Sequence, residues 1–341
     1  MHFLRSSLRA CAAAFAVLWA SWGCATPGTT SRSPIPSPPT EPVAQVNPET
    51  SPTGLLVMAH GGGPEWDDHM AAAVEDLRGR MPVSVAFGMA NPHTLQASLD
   101  SLHDRGVGTV GVVRLFISGA SFLHPTEYLF GLRTDAPARA LVGHRWVDGE
   151  ELEPLYTDAR ILLDLQGMAG SEEAARILVS RADAHARDPA GTGALLIAHG
   201  MGAEDENRAL LAAMEDAAAA LRSEGYAEVE LATLREDWAA ERVKAEKHIR
   251  ATVARMGSEH DRVVVIPYRV FGFGPYAAVL EGLDYVGTEG LLPHELVTEW
   301  ITGRATAVFC AAGLPSPLER CDPTMTRSSN PAPYSGRTNP S

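Results

Sequence analysis

Short apolar runs ending on glycine-rich turns recur along the middle of the chain, and each is followed by apolar residues returning every three or four positions. Gly54-Leu-Leu-Val-Met-Ala-His60 is one such run and Ala194-Leu-Leu-Ile-Ala-His199 is another. Runs this short, apolar throughout and bounded by glycine, predict strands buried on both faces of a parallel sheet. The first is followed by a stripe of Trp66, Met70, Val74, Leu77 and Met81, the second by Leu210 or Leu211, Met214, Ala218 and Leu221, both at helical spacing. Val83 to Phe87 and Val229 to Leu234 predict second strands; Val110 to Ile117 and Arg262 to Val270 predict third strands. In the first half Asn91 caps a helix that opens with Pro92, carries Leu95, Leu99 and Leu102 on one face and stops at Gly106. Strand–helix alternation of this kind predicts an α/β fold of doubly wound parallel sheets.

The two Ala-His-Gly turns extend the likeness. His60-Gly-Gly-Gly63 and His199-Gly-Met-Gly202 end matching runs, with the histidines 139 residues apart. The pattern predicts two tandem halves related by an internal repeat, over residues 54–150 and 190–302. Residues 151–189 are expected to be a helical connector, with a helix from Glu172 to Ala186.

The chain ends read differently. Residues 1–23 have the form of a signal peptide, with Arg5 and Arg9 before an apolar run from Ala10 to Trp19 that is too short to span a bilayer. Ser21-Trp22-Gly23-Cys24 resembles the lipobox of bacterial lipoproteins, in which Cys24 would be lipidated; ordinary cleavage after Ala25 is the alternative. Residues 24–53, rich in Pro, Ser and Thr, then form a tether. The expected location is therefore exported, periplasmic or membrane-anchored through a lipid at Cys24. Residues 303–341 are again rich in Pro, Ser and Gly and are expected to be a disordered tail. Cys310 and Cys321 lie in it and are able to close a small loop in an oxidising compartment.

Composition narrows the function. Of 341 residues 45% are hydrophobic, which excludes a wholly disordered chain, and four cysteines are too few for a disulfide-built scaffold. The formal charge of -14 becomes -16 once Arg5 and Arg9 are removed, and lysine occurs only at 244 and 247. No nucleic-acid partner is expected of so acidic a surface.

In an open parallel sheet the site lies at the carboxyl ends of the strands, where His60 and His199 fall. A histidine there can serve as base, metal ligand or hydrogen-bond donor. The sequence excludes a P-loop, because no Gly-x-x-x-x-Gly-Lys occurs, and it lacks the Gly-x-Gly-x-x-Gly of a dinucleotide site. His60-Gly61-Gly62-Gly63 imitates an esterase oxyanion loop, but no Gly-x-Ser-x-Gly elbow accompanies it.

The Ala-His-Gly strand ends, the repeat and Val110-Gly-Val-Val-Arg-Leu-Phe-Ile-Ser118 together resemble the class II chelatases, the sirohydrochlorin cobaltochelatases and ferrochelatases in their long tandem form. The likeness covers most of residues 54–302. It implies insertion of a divalent metal (cobalt, iron or nickel) as substrate into a tetrapyrrole, without ATP or an organic cofactor. His60 matches the family's first histidine, as ligand and base, and His124 is the candidate for the second, although it lies farther past its strand. Met89 falls near the family's acidic position; its thioether binds soft metals but takes no proton. His199 adds a possible metal ligand in the second half, where Glu236 offers a carboxylate from an offset position. That half is expected to be structural or binding. The alternative reading is a non-catalytic exported carrier of metal or tetrapyrrole.

Overall fold

The computed structural model describes residues 52–142 and 145–322. In chain order the elements are β1 (Thr53–Ala59), α1 (Pro64–Ala73), α2 (Glu75–Arg78), β2 (Val83–Phe87), α3 (Pro92–His103), β3 (Thr109–Leu115), α4 (Leu123–Leu129), β4 (Arg139–Val142), β5 (Arg145–Asp148) and β6 (Arg160–Leu163). There follow α5 (Glu172–Ala186), β7 (Thr192–Ala198), α6 (Glu204–Ser223), β8 (Glu228–Thr233), α7 (Ala239–Glu259), β9 (Arg262–Pro267), α8 (Tyr276–Val279), β10 (Val286–Gly287) and α9 (Glu295–Ala311). Two parallel sheets result, ordered β2-β1-β3-β6 and β8-β7-β9-β10, so both place the Ala-His-Gly strand second. The predicted α/β class of doubly wound parallel sheets is the observed one.

The period of two along each central strand divides its side chains between two cores. Leu55 and Val57 of β1 face one that also takes Leu196 and Ala198 of β7, together with Met70, Ile177, Met214 and Trp300 from α1, α5, α6 and α9. Leu56 and Met58 face an outer core with Leu95, Leu99 and Leu102 of α3, and Leu195 and Ile197 face a third with Ile249, Val253 and Met256 of α7. Helices thus cover both faces of both sheets, as buried parallel strands require. Asn91 caps α3 by accepting from the His93 N–H. Acidic residues open α1 and α6, where each helix start is positive.

Three expectations change. The segment 151–189 is not only a helical connector: Ile161, Leu162 and Leu163 form β6, which pairs with β3 and completes the first sheet. Within the first half β4 and β5 pair antiparallel, a hairpin outside the parallel pattern. The boundary at 303 falls inside α9, because Ala305, Val308 and Phe309 continue the buried stripe begun by Val297, Trp300 and Ile301. The tail then turns back, held by a Cys310–Cys321 disulfide and by Leu318, which is buried in the shared core.

Helix α9 follows the second sheet in sequence yet packs on β3 of the first. Gly111 makes room for it: a Cβ there would sit 2.9 Å from the Phe309 ring. Arg304 of α9 grips the fully buried Asp164 carboxylate at the end of β6, and Thr298 Oγ1 donates to the Ala73 carbonyl at 2.8 Å. The expected signal peptide, Cys24 and the expected tether up to residue 51 lie outside the described residues, and the last tether residue, Thr53, opens β1. Among the described residues no helix is long and apolar enough to cross a membrane.

Candidate functional site

His199 stands at the carboxyl end of β7. Its Nδ1 lies 2.9 Å from the Gly200 carbonyl. A carbonyl only accepts, so this contact is a hydrogen bond when Nδ1 carries the proton, and the neutral ring then keeps its lone pair on Nε2. Nε2 faces two carboxylates, Asp237 Oδ2 at 3.3 Å and Glu236 Oε2 at 4.0 Å. These follow from the β7–β8 register: Ala198 pairs with Thr233, and the Glu236 N–H reaches the His199 carbonyl at 3.2 Å, just past the ladder. Trp238 meets the imidazole edge-on, with ring centroids 5.9 Å apart.

Arginines anchor the surrounding carboxylates. Arg235 Nη1 donates to Glu204 at 3.0 Å and its Nη2 to the Gly202 carbonyl at 2.8 Å, while Arg269 Nη1 donates to Glu236 Oε1. The glycine after Met201 is a packing requirement, since a Cβ on Gly202 would lie 2.6 Å from the Trp238 indole. The sequence singled out His199 and, less firmly, Glu236. It missed Asp237, Arg235, Trp238 and the role of Arg269. The Arg-Glu-Asp-Trp run directly after a strand was the available signal.

The first half is built differently. His60 is exposed at the end of β1; its Nδ1 is 2.6 Å from the Gly61 carbonyl and its ring meets Trp66 edge-on at 6.1 Å. Where the second half sends the Glu236 N–H to a histidine carbonyl, here the donor is Gly88, at 2.9 Å, with no side chain to offer. Neither Gly62 nor Gly63 has anything within 4 Å of a built Cβ. Met89 is buried at 6% exposure in the outer core, in a left-handed conformation (φ 66°).

His124, near the start of α4, turns toward the 133–135 loop, with Nε2 3.0 Å from the Asp135 carbonyl and 3.4 Å from its Oδ2. Arg133 hydrogen-bonds that carboxylate and holds it below its usual range. The loop before His124 is clamped from behind by Arg114, which donates to the carbonyls of Gly119, Ser121, Asp164 and Leu165. Burial lowers the Arg114 pKa to about 10, against the opposing pull of Asp164.

Among the described residues one set of three histidine and carboxylate groups has ligand atoms within 4.8 Å of one another, and it is Glu228, Glu259 and His260. His60, His124 and His199 are not part of it. Arg255 donates to both carboxylates, at 3.0 Å to Glu228 and 2.6 Å to Glu259, so a guanidinium already fills the place of a cation. Its hydrogen bonds hold Glu228 below the usual carboxylate range.

The fold resembles known chelatase folds. No family model and no curated protein matches the sequence. Among solved structures, SirB from Bacillus subtilis with Fe3+ is similar at 13% identity and a TM-score of 0.55, over 77% of this chain and 97% of that one. The sirohydrochlorin chelatase SirB from Bacillus subtilis subspecies spizizenii in complex with cobalt is similar at 14% identity and a TM-score of 0.52, over 74% and 94%.

Proposed function

We propose that the chain is a chelatase-like protein that takes up a divalent metal, cobalt or iron, and inserts it into a tetrapyrrole of the sirohydrochlorin kind without ATP. The observation that carries this reading is the His199 centre: an imidazole Nε2 lying 3.3 Å from the Asp237 carboxylate and 4.0 Å from that of Glu236, at the carboxyl end of a central strand. Such a set suits a divalent cation, because nitrogen and carboxylate oxygen are the donors these metals take. It also suits the accompanying chemistry, in which two pyrrole protons leave as the metal enters and a nearby base receives them. The similar folds, one solved with Fe3+ and one with cobalt, support the reading. His60 and His124 remain candidates for a second contact with the substrate from the first half.

The second reading is an exported, non-catalytic carrier of metal or tetrapyrrole. The Cys310–Cys321 disulfide favours it, since such bonds persist in oxidising compartments, where export through residues 1–23 and lipidation at Cys24 would place the chain. One experiment separates the two. The purified full chain is mixed with sirohydrochlorin and Co2+ or Fe2+ and absorbance is followed. The enzyme reading expects insertion faster than the spontaneous reaction and slowed by His199→Ala. Insertion no faster than the blank ends the enzyme reading, and tight binding without turnover supports the carrier.

A further inference from the structure

We infer that Arg269 is a positioning residue for the His199 centre: it ties Glu236 Oε1 and so presents Oε2 to whatever cation His199 Nε2 holds. The inference rests on the reading of that centre as a cation site. Arg269 lies two residues past the end of β9, and its own place is determined on three sides. Its Nη1 donates to Glu236 Oε1. Its Cζ lies 5.8 Å from the centroid of the Tyr276 ring, a fully buried side chain. On another side the backbone closes in, for a Cβ on Gly274 would sit 2.8 Å from Cζ, and this glycine has φ +67°. The run Phe271-Gly-Phe-Gly-Pro-Tyr276, which carries no ligand of its own, is thereby explained as the loop that presses a flat guanidinium into one orientation.

The fully buried Tyr276 side chain also lies within electrostatic reach of both Arg269 and Glu236, so one ring flanks the pair from the inside. The outcome is the Glu236 geometry. The Glu236 side chain is 13% exposed, with one oxygen occupied by Arg269 and the other 4.0 Å from His199 Nε2. A lysine would reach the carboxylate but would not fill the plane between Gly274 and Tyr276.

The test uses Co2+ as probe on the full chain, read by the dissociation constant and by the visible ligand-field bands. Removing a partner that orients a ligand typically weakens metal affinity about 10–100-fold. Arg269→Met is expected to show that loss with altered bands, Arg269→Lys to recover part of both, and circular dichroism to stay that of the parent. Wild-type affinity and bands in Arg269→Met overturn the proposal. If Arg269→Met fails to fold, Glu236→Gln replaces it: unchanged affinity and bands there overturn the proposal equally. If His199→Ala binds Co2+ as the parent does, the centre itself is misread and the positioning role falls with it, an outcome distinct from a failure confined to Arg269.

Discussion

Asp164 offers the sharpest test of how the two halves are joined. Its carboxylate is fully buried and takes both oxygens to Arg304 Nε at 3.1 Å, while its main-chain carbonyl accepts from the buried Arg114. At that separation two unit charges attract by about 5 kcal/mol at an effective dielectric of about 20, and desolvation erodes part of it. Asp164→Asn keeps the shape and removes the charge, leaving two guanidiniums without their shared counter-charge. Breaking a buried pair on one side costs about 3–5 kcal/mol. For a fold of this size that corresponds to a fall in Tm of about 6–20 °C. Urea and thermal unfolding of the full chain measure both.

Arg304→Met should cost less than Asp164→Asn, because Arg304 is 19% exposed and Arg114 still balances the carboxylate. The double variant should recover stability relative to Asp164→Asn alone, with a coupling above about 1 kcal/mol. Amide exchange across residues 118–124 should also quicken in Asp164→Asn, since Arg114 would then hold the Gly119 and Ser121 carbonyls without compensation. A loss under about 1 kcal/mol with strictly additive variants would falsify the claim that this charge triad locks α9 onto the first sheet.

Three further outcomes are expected. Gly202→Ala should destabilise by about 1–3 kcal/mol and loosen the His199 centre, because its Cβ would meet the Trp238 indole at 2.6 Å, whereas Gly62→Ala should be near neutral; paired melting curves compare them. His294 caps α9 by accepting the Leu296 N–H on Nδ1, and burial, with Arg181 nearby, holds its pKa below the usual 6.5. The cap's contribution, about 1 kcal/mol, is therefore whole above pH 6.5 and fades as pH falls through the depressed value. His294→Asn should abolish that slope, and melts from pH 5 to 7.5 that stay parallel to the parent would refute it. Reducing the Cys310–Cys321 disulfide, which closes a loop of sequence separation 11, should cost about 3 kcal/mol if the 312–322 strap detaches with the fold, read as a lower Tm in reductant.

Much of the fold was legible because β1 and β7 are apolar throughout and end on the same three residues. β6 escaped notice because Ile161, Leu162 and Leu163 are too few to show a period, and only the open edge of β3 makes them a strand. Helix α9 was cut short for a related reason. What holds Phe309 is the missing side chain of Gly111, almost two hundred residues away, and no local pattern records that complementarity. At the site His199 was visible as part of a motif. Asp237 and Arg235 were not, because their place depends on the β7–β8 register, which carries the chain three residues past Thr233 to set Glu236 beside the His199 carbonyl.

The charge balance at that centre bears on what it would take up under the proposed function. Arg235 is matched by Glu204 and Arg269 by Glu236, one to one, so no guanidinium there is left to receive the carboxylates of a macrocycle. What carries no guanidinium partner there is the Asp237 carboxylate, which instead lies 3.3 Å from His199 Nε2. That remainder calls for a cation. A seam of aromatic contacts lies elsewhere, where Phe271, from the loop after β9, lies against Trp66 and His69 of the first half, and Trp66 in turn meets His60. The proposed division of labour is thus between a charged second half that holds the metal and an aromatic seam, bordered by His60, that meets the ring. It implies that His199→Ala should abolish Co2+ binding, whereas Phe271→Ala should leave it intact and weaken only tetrapyrrole binding; equal loss of both ligands in both variants would mean a single mixed site.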